Sequence, residues 1–393
     1  MLLNMKTIAV IFGGRSAEHD VSIVTALASI IKPLELSGQY SVEAVYIAKD
    51  GRWYWDDALK DISLYQGDGL AEFLHKAPKV HLLFDNGLTL VKSSQFAGRK
   101  QYKQIDVIFP AMHGTYGEDG ALMGLLDMAG VPYVGCGVSA SAVAMDKVLA
   151  KQVTSAENIP TTPWIWFYAA ELARDPKAVH TRIAKLRYPL FVKPALLGSS
   201  IGITRVTDPS QLSNALEVAA HYDDKVIVEQ AVSNLIEVTL PIMGNDELTP
   251  AYLEQPLMKP DDFFDFDTKY MGDGKKMGGH KAGGKRGAQG YSQIPADLPQ
   301  PLYDKAEALG LAVYRALGCT GIARVDMLID AKTGDVFFNE VNPLPGSLYA
   351  HNWRAKGISG HQLVNDLIRL AVERHAARAR LQTTFSTNFL KQF

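Results

Sequence analysis

Residues Ile322–Gly346 read IARVDMLIDAKTGDVFFNEVNPLPG. Two β-rich runs, Ile322–Ile329 and Val336–Val341, flank a polar segment that contains Gly334. Such a pattern predicts a hairpin. Centred near Thr333, the hairpin sets Asp326 opposite Glu340 and Arg324 opposite Asn342. Side chains alternate faces along a strand, so these four polar groups project to one side. The opposite face then carries Val325, Met327, Ile329, Phe337 and Val341, which suits a core. Two carboxylates and an amide oxygen are hard donors of the kind Mg²⁺ accepts while it keeps places for phosphate oxygens. A solvated charged face on an ordinary hairpin would carry the same residues, so other segments must decide.

The chain has 393 residues, too many for one core, and two or three domains are expected. Its hydrophobic share of 47%, with 21% charged residues, is that of a soluble globular protein. A formal net charge of −2 gives no basic field for nucleic acid or an anionic membrane. Cys136 and Cys319 are the two cysteines, too few for a disulfide framework and in no metal-binding spacing. The opening MLLNMKTIAVIFGG reads as a first strand rather than a secretory signal, and no apolar run approaches the roughly 18 residues a membrane span needs. A cytoplasmic enzyme or binding protein is expected.

Thr7–Phe12 is a buried-strand run ending at Gly13-Gly14, followed by a helical pattern over Ser22–Ile31 and a strand over Val42–Ile47. Ile105–Pro110 is a further strand, and a helix is expected over Ala121–Ala129. Strands alternating with helices predict a parallel α/β first domain whose ligand groups lie at the carboxyl ends of strands. Ser139–Asn158 reads as one helix leading out of it, stopped by Ile159-Pro160. Leu190–Lys193, Gly202–Val206 and Val226–Glu229 are strands of a second unit, with a helix near Asp208–Ala220. A third unit begins near Val238, holds the hairpin and ends in a helix over Gln362–Arg380. Between them Lys259–Gly290, rich in Gly and Lys, reads as a lid or an insert.

Lys193 lies on a strand just before the turn Gly198-Ser199-Ser200-Ile201-Gly202. Small residues there let backbone N–H groups approach phosphate oxygens, although a plain hairpin would look the same and no Walker or dinucleotide motif is present. Lys147 follows Asp146 on a helix, Glu229 ends a strand, and His113 and Glu118 share a glycine-rich loop in which Asp119 has the chemistry of an N-cap. Each of these is ordinary alone.

Together the segments closely resemble the D-alanine–D-alanine ligases of the ATP-grasp superfamily. The residues that carry the resemblance are FGGRSAEHDVS (Phe12–Ser22), HGTYGEDGALMGLLDMAGVPYVG (His113–Gly135), AMDKVLAK (Ala144–Lys151), VKPALLGSSIG (Val192–Gly202), DFDTKY (Asp265–Tyr270), ARVD (Ala323–Asp326) and NEVNPLPG (Asn339–Gly346). They occur in family order and cover nearly the whole chain. The resemblance implies an α/β chain, α+β overall, with the ATP-grasp fold in three domains. These would be a Rossmann-like parallel α/β domain over 1–138, a central subdomain over 139–230, and a C-terminal subdomain over 231–393 with the metal site and a lid loop over 259–294.

It also implies roles. Lys147 and Lys193 match the lysines that hold ATP phosphates, with Ser199 and Ser200 in the adjoining turn; Glu229 and Glu237 resemble the acids at adenine and ribose. Asp326, Glu340 and Asn342 look like ligands of two Mg²⁺ ions, with Mn²⁺ as a substitute. Glu18 matches the acid that holds the first substrate's ammonium, assisted by Ser199 and Tyr270, and His113 sits near the reacting carboxylate. Arg324 and the Gly346 N–H match the oxyanion site, while Lys269 and Tyr270 belong to the lid. The chemistry agrees with these residue types. A carboxylate must be activated as an acyl phosphate before an amine attacks it, which calls for positive charge rather than a nucleophilic side chain. The tetrahedral oxyanion that follows needs preorganised donors, and the acyl phosphate needs shielding from water.

Two stretches depart from the family pattern. After Gly346 a serine that grips the second substrate's carboxylate normally comes a few residues on; here Ser347-Leu348-Tyr349-Ala350-His351-Asn352 follows, with Ser347, His351 or Asn352 as substitutes. The lid carries the extra Gly272–Gly290 segment. Alternatives are therefore a ligase with D-lactate, D-serine or another D-amino acid as second substrate, and a non-catalytic nucleotide-binding regulator. Tyr270 favours the dipeptide, and the oxyanion arginine argues for catalysis. Small-molecule partners (ATP and D-alanine) and a homodimer are expected.

Overall fold

The computed structural model describes residues 5–85, 87–93, 100–257 and 292–393. Lys269, Tyr270 and the Gly272–Gly290 segment lie outside the described residues.

Strand Lys6–Gly13 lies at the centre of a four-stranded sheet, parallel to Tyr40–Ile47 on one side and to Val107–Pro110 on the other, with Trp53–Trp55 on the outer edge. Its run of apolar residues is buried on both faces, as a central parallel strand requires. Ile8, Val10 and Phe12 enter one core cluster, Ala9 and Ile11 another. The expected strand Ile105–Pro110 divides at Asp106. Ile105 closes an antiparallel meander of Val80–Phe84, Leu88–Ser93 and Lys100–Ile105, an addition to the expected strands. The break is held by Asp106, whose carboxylate accepts the Thr7 N–H at 2.7 Å while its own N–H donates to the Thr7 carbonyl.

The expected helix at Ser22–Ile31 begins earlier and runs on, as His19–Val24, a wider π-helical stretch Thr25–Ile31, and Lys32–Ser37, stopping at left-handed Gly38. The expected single helix over Ser139–Asn158 is two, Val138–Met145 and Lys147–Ala156. Asp146 between them is extended and caps the second helix, accepting from Val148 N at 2.9 Å and Leu149 N at 3.1 Å. Lys147 is thereby placed at the first turn of a new helix.

A second sheet is antiparallel in the order Thr204–Val206, Leu190–Pro194, Lys225–Gln230, Trp164–Tyr168. A third orders Leu248–Pro250, Leu235–Gly244, Gly321–Asp330 and Asp335–Asn342. Helix Gln300–Ala316 covers its apolar face through Ala306, Leu309 and Val313. The last long helix, Gly360–Ala379, packs Leu363, Val364 and Leu367 into the same core as Ile8, Val10 and Phe12 of the first strand. Among the described residues no helix is long and apolar enough to cross a membrane.

The hairpin pairs Asp326 with Glu340 and Arg324 with Asn342, in the register read from the sequence. One detail differs. The register shifts between Asp326 and Met327, so that Met327 faces Phe338. A β-bulge adds one residue to one strand and reverses the facing beyond it. Phe338 therefore enters the core, fully buried, and Phe337, assigned to it above, does not.

Candidate active site

The strand ends and turns of the three sheets meet at one cleft lined by Glu18, Glu118, Lys147, Gly198, Ser199, Glu340 and Asn342, among others. The chain reaches Glu18 through Gly13 and Gly14, both with positive φ. A Cβ on Gly13 would lie 2.3 Å from the Ile47 carbonyl oxygen, so only glycine permits this exit from the strand. The Ser199 hydroxyl donates to Glu18 Oε1, joining the turn after strand Leu190–Pro194 to the start of the first helix, 181 positions away in sequence. Ser199 and Ser200 both take left-handed backbone, φ 55° and 61°. A Cβ on Gly114 would sit 2.7 Å from Glu18 Oε2, so the His113–Gly114 loop closes tightly over the same carboxylate.

Lys147 is buried, donates to the Leu197 carbonyl at 2.7 Å and lies 3.6 Å from Glu340 Oε2. Lys193 is also buried, and its Nζ lies 2.6 Å from Glu229 Oε2. The other Glu229 oxygen meets Lys151 at the same 2.6 Å. Burial pushes the Glu229 carboxyl up, but the charges of Lys151 and Lys193 outweigh it and hold the group well below the usual range. Burial lowers Lys151, whereas Lys193, buried but set against Glu229, is raised. Glu229 is thus an inward-facing acid between two ammonium groups, and Glu237 is an exposed residue on the Leu235–Gly244 strand.

Lys151 is missing from the sequence expectations. Its signal was present, since it follows Lys147 at the i+4 spacing that places two side chains on one helix face.

On the hairpin, Arg324 grips Asp326 through two hydrogen bonds, Nε to Oδ1 at 2.6 Å and Nη2 to Oδ2 at 2.5 Å. Asn342 Nδ2 donates to the same carboxylate at 3.1 Å. The Arg324 guanidinium stands 4.9 Å from the centre of the Tyr349 ring. Although burial lowers it, the Asp326 charge raises the Arg324 pKa well above its ordinary value, so this cation is permanent. Two carboxylates, an amide and a guanidinium do converge on one face.

His113 is 3% exposed, with Nε2 2.9 Å from Thr25 Oγ1 and Nδ1 3.8 Å from Glu118 Oε2. Burial lowers its pKa, but the neighbouring Glu118 carboxylate, with the charge of Glu18, raises it above the ordinary histidine value. Glu118 also accepts the N–H groups of Gly114 at 2.7 Å and Leu344 at 3.3 Å, tying the loop to the segment after the hairpin. Beyond Gly346 the residues Ser347, Leu348 and Tyr349 are all left-handed, φ 50°, 53° and 51°. Asn352 is fully buried, donating to the Tyr252 carbonyl and Glu254 and accepting the Tyr252 N–H. His351 Nε2 is 2.8 Å from Glu254 Oε2. Both polar groups are thus committed within the protein, and of the three residues offered for a second carboxylate contact Ser347 lies closest in sequence to the turn.

Comparison with known proteins identifies the family. Residues 7–136 match the family model for the D-ala D-ala ligase N-terminus, and residues 153–369 the model for its C-terminus. A D-alanine–D-alanine ligase from Acetivibrio thermocellus is 36% identical over 385 residues, covering 94% of this chain and 96% of that protein. The solved D-alanine–D-alanine ligase of Coxiella burnetii superposes with a TM-score of 0.77 at 27% identity, covering 95% of this chain and 96% of the other. A D-Ala:D-Ser ligase from Enterococcus faecalis gives 0.76 at 29% identity, covering 93% and 99%. The fold is that of the ATP-grasp enzymes, and the chain belongs to the D-alanine–D-alanine ligase family.

Proposed function

We propose that this chain joins two D-alanine molecules at the expense of ATP, through a D-alanyl phosphate, to give D-alanyl-D-alanine, ADP and phosphate for peptidoglycan precursor synthesis. The observation that carries the reading is the cleft in which the Glu18–Ser199 pair, Lys147, Glu340 and Asn342 meet. An acid for an ammonium group and a lysine for phosphate within one cleft suit a reaction that phosphorylates an amino acid.

In this reading Glu18, fixed by Ser199, holds the ammonium of the first D-alanine, and His113 lies near its carboxylate. Lys147 and Lys193 neutralise ATP phosphates beside the Ser199-Ser200 turn, and Glu229 and Glu237 face the adenosine end. Arg324 and the Gly346 N–H stabilise the oxyanion formed when the second amine attacks, which requires donors already in position. Ser347 takes the second carboxylate. The outward face of the hairpin fits a divalent ion: Asp326 and Glu340 supply carboxylates and Asn342 an amide oxygen, while Arg324 already offsets part of the charge. Where phosphate oxygens complete its shell, Mg²⁺ takes one or two carboxylates from the protein. Bound there, Mg²⁺ or Mn²⁺ would neutralise charge developing on phosphate oxygens.

The three domains (residues 1–138, 139–230 and 231–393), a cytoplasmic setting and a homodimer complete the proposal. A second reading, ligation of D-serine or D-lactate, draws on the unusual Ser347–Tyr349 turn and on the likeness to a D-Ala:D-Ser ligase. Hydroxylamine tests the intermediate: with ATP, Mg²⁺ and D-alanine the protein should form D-alanine hydroxamate together with ADP. ADP formation that is independent of D-alanine, with no hydroxamate, would defeat the reading.

A further inference from the structure

Thr25 is fully buried at the start of the π-helical stretch, and its hydroxyl has two partners from distant parts of the chain. His113 Nε2 lies 2.9 Å away, and the Ser347 N–H donates to the same oxygen at 3.0 Å. A hydroxyl has one proton and two lone pairs. With the Ser347 N–H on one lone pair, it can donate to a neutral His113 or accept from a protonated one, so the link survives either state of the ring.

The backbone it holds is strained. Three consecutive non-glycine residues, Ser347 to Tyr349, are left-handed, a conformation L-residues avoid and one that persists only when the surroundings impose it. Leu348 is anchored by complete burial and Tyr349 by its place beside Arg324. At Ser347 the anchor is Thr25. A widened helical turn at the same residue accords with the frequent occurrence of π-helical turns at functional sites.

We infer that Thr25 is a positioning residue for the second amino acid, fixing the Gly346–Tyr349 turn to the His113 loop through one hydroxyl. It touches no substrate; it acts through Ser347 and His113. The inference rests on the proposed reading that Ser347 and the Gly346 N–H serve the second substrate and the oxyanion.

Thr25→Val keeps the shape and removes the hydroxyl, and Thr25→Ser restores it. In Thr25→Val, KM for the second D-alanine should rise about tenfold, as for loss of one buried hydrogen bond, with KM for ATP unchanged. Thr25→Ser should recover most of that loss. Amide exchange at Ser347 should be faster in Thr25→Val than in the wild type or in Thr25→Ser, a readout that needs no turnover. Wild-type ligation with unaltered second-site KM in Thr25→Val would overturn the positioning role alone. Equal losses for ATP and both amino acids, or unchanged Ser347 exchange, would also overturn it. Failure of the wild type to ligate D-alanine would overturn the ligase reading and this role with it.

Discussion

Lys151 Nζ and Glu229 Oε1 form a 2.6 Å ion pair whose side chains are 1% and 4% exposed. With Lys193 on the other oxygen, the group holds one anion between two cations. Removing one partner from a buried pair leaves an uncompensated charge, at a cost of about 3–5 kcal/mol. Which partner is removed should matter. Lys151→Met leaves Glu229 neutralised by Lys193 and should cost about 3 kcal/mol, at the lower end of that range. Glu229→Gln leaves two lysines together and should cost about 5 kcal/mol, at the upper end. Denaturant unfolding at neutral pH compares them, and a larger loss for Lys151→Met would contradict the arrangement.

The same acid predicts a pH dependence. The Glu229 carboxyl is held below its ordinary value in the folded chain, so on acidification the unfolded chain takes up its proton first. The contribution is complete above the usual carboxylate range and is lost as pH falls toward the folded value. Unfolding free energy measured from neutral pH down to about pH 4 should therefore fall less steeply in Glu229→Gln than in the wild type. Parallel profiles would place the acid sensitivity elsewhere.

The bulge in the hairpin separates two adjacent phenylalanines. Phe338→Ala removes a fully buried ring and should cost about 3–5 kcal/mol. Phe337→Ala removes a partly exposed one and should cost distinctly less. Equal losses by thermal or denaturant unfolding would mean that the register shift is absent.

That pair also marks how far the sequence could be read. Strand alternation placed Asp326, Glu340, Arg324 and Asn342 on one face because period two is a strong signal. The bulge moves one residue, and in VFFNEVN either aromatic can be counted inward. The spacing from Val336 to Phe338 to Val341, two then three, was the trace of it. Likewise the helix break at Asp146 is a capping event inside a run whose apolar pattern continues through it. The Val80–Ile105 meander leaves little trace in the sequence because its outer strands are short and largely exposed, so burial imprints little pattern on them. In the site, residues within compact motifs were legible. The Thr25 contacts were not, because its partners lie 88 and 322 positions away, and for Lys151 the helical spacing was legible but the pairing with Glu229 was not.

Glu340 lies beside Lys147 and opposite Asp326, with a side chain 35% exposed. Glu340→Gln removes a charge from the proposed metal face while keeping its shape. Ligation should fall by at least about a hundredfold, with thermal stability close to wild type. Turnover near the wild-type level at ordinary Mg²⁺ would show that this face does not carry the metal.

The most direct measurement offers purified protein ATP and Mg²⁺ with D-alanine, alone and paired with D-serine and D-lactate, and follows phosphate release and product mass. D-alanine alone should give D-alanyl-D-alanine with one phosphate released per dipeptide. A mixed product formed in preference to the D-alanine dipeptide, or phosphate release with no dipeptide, would contradict the account.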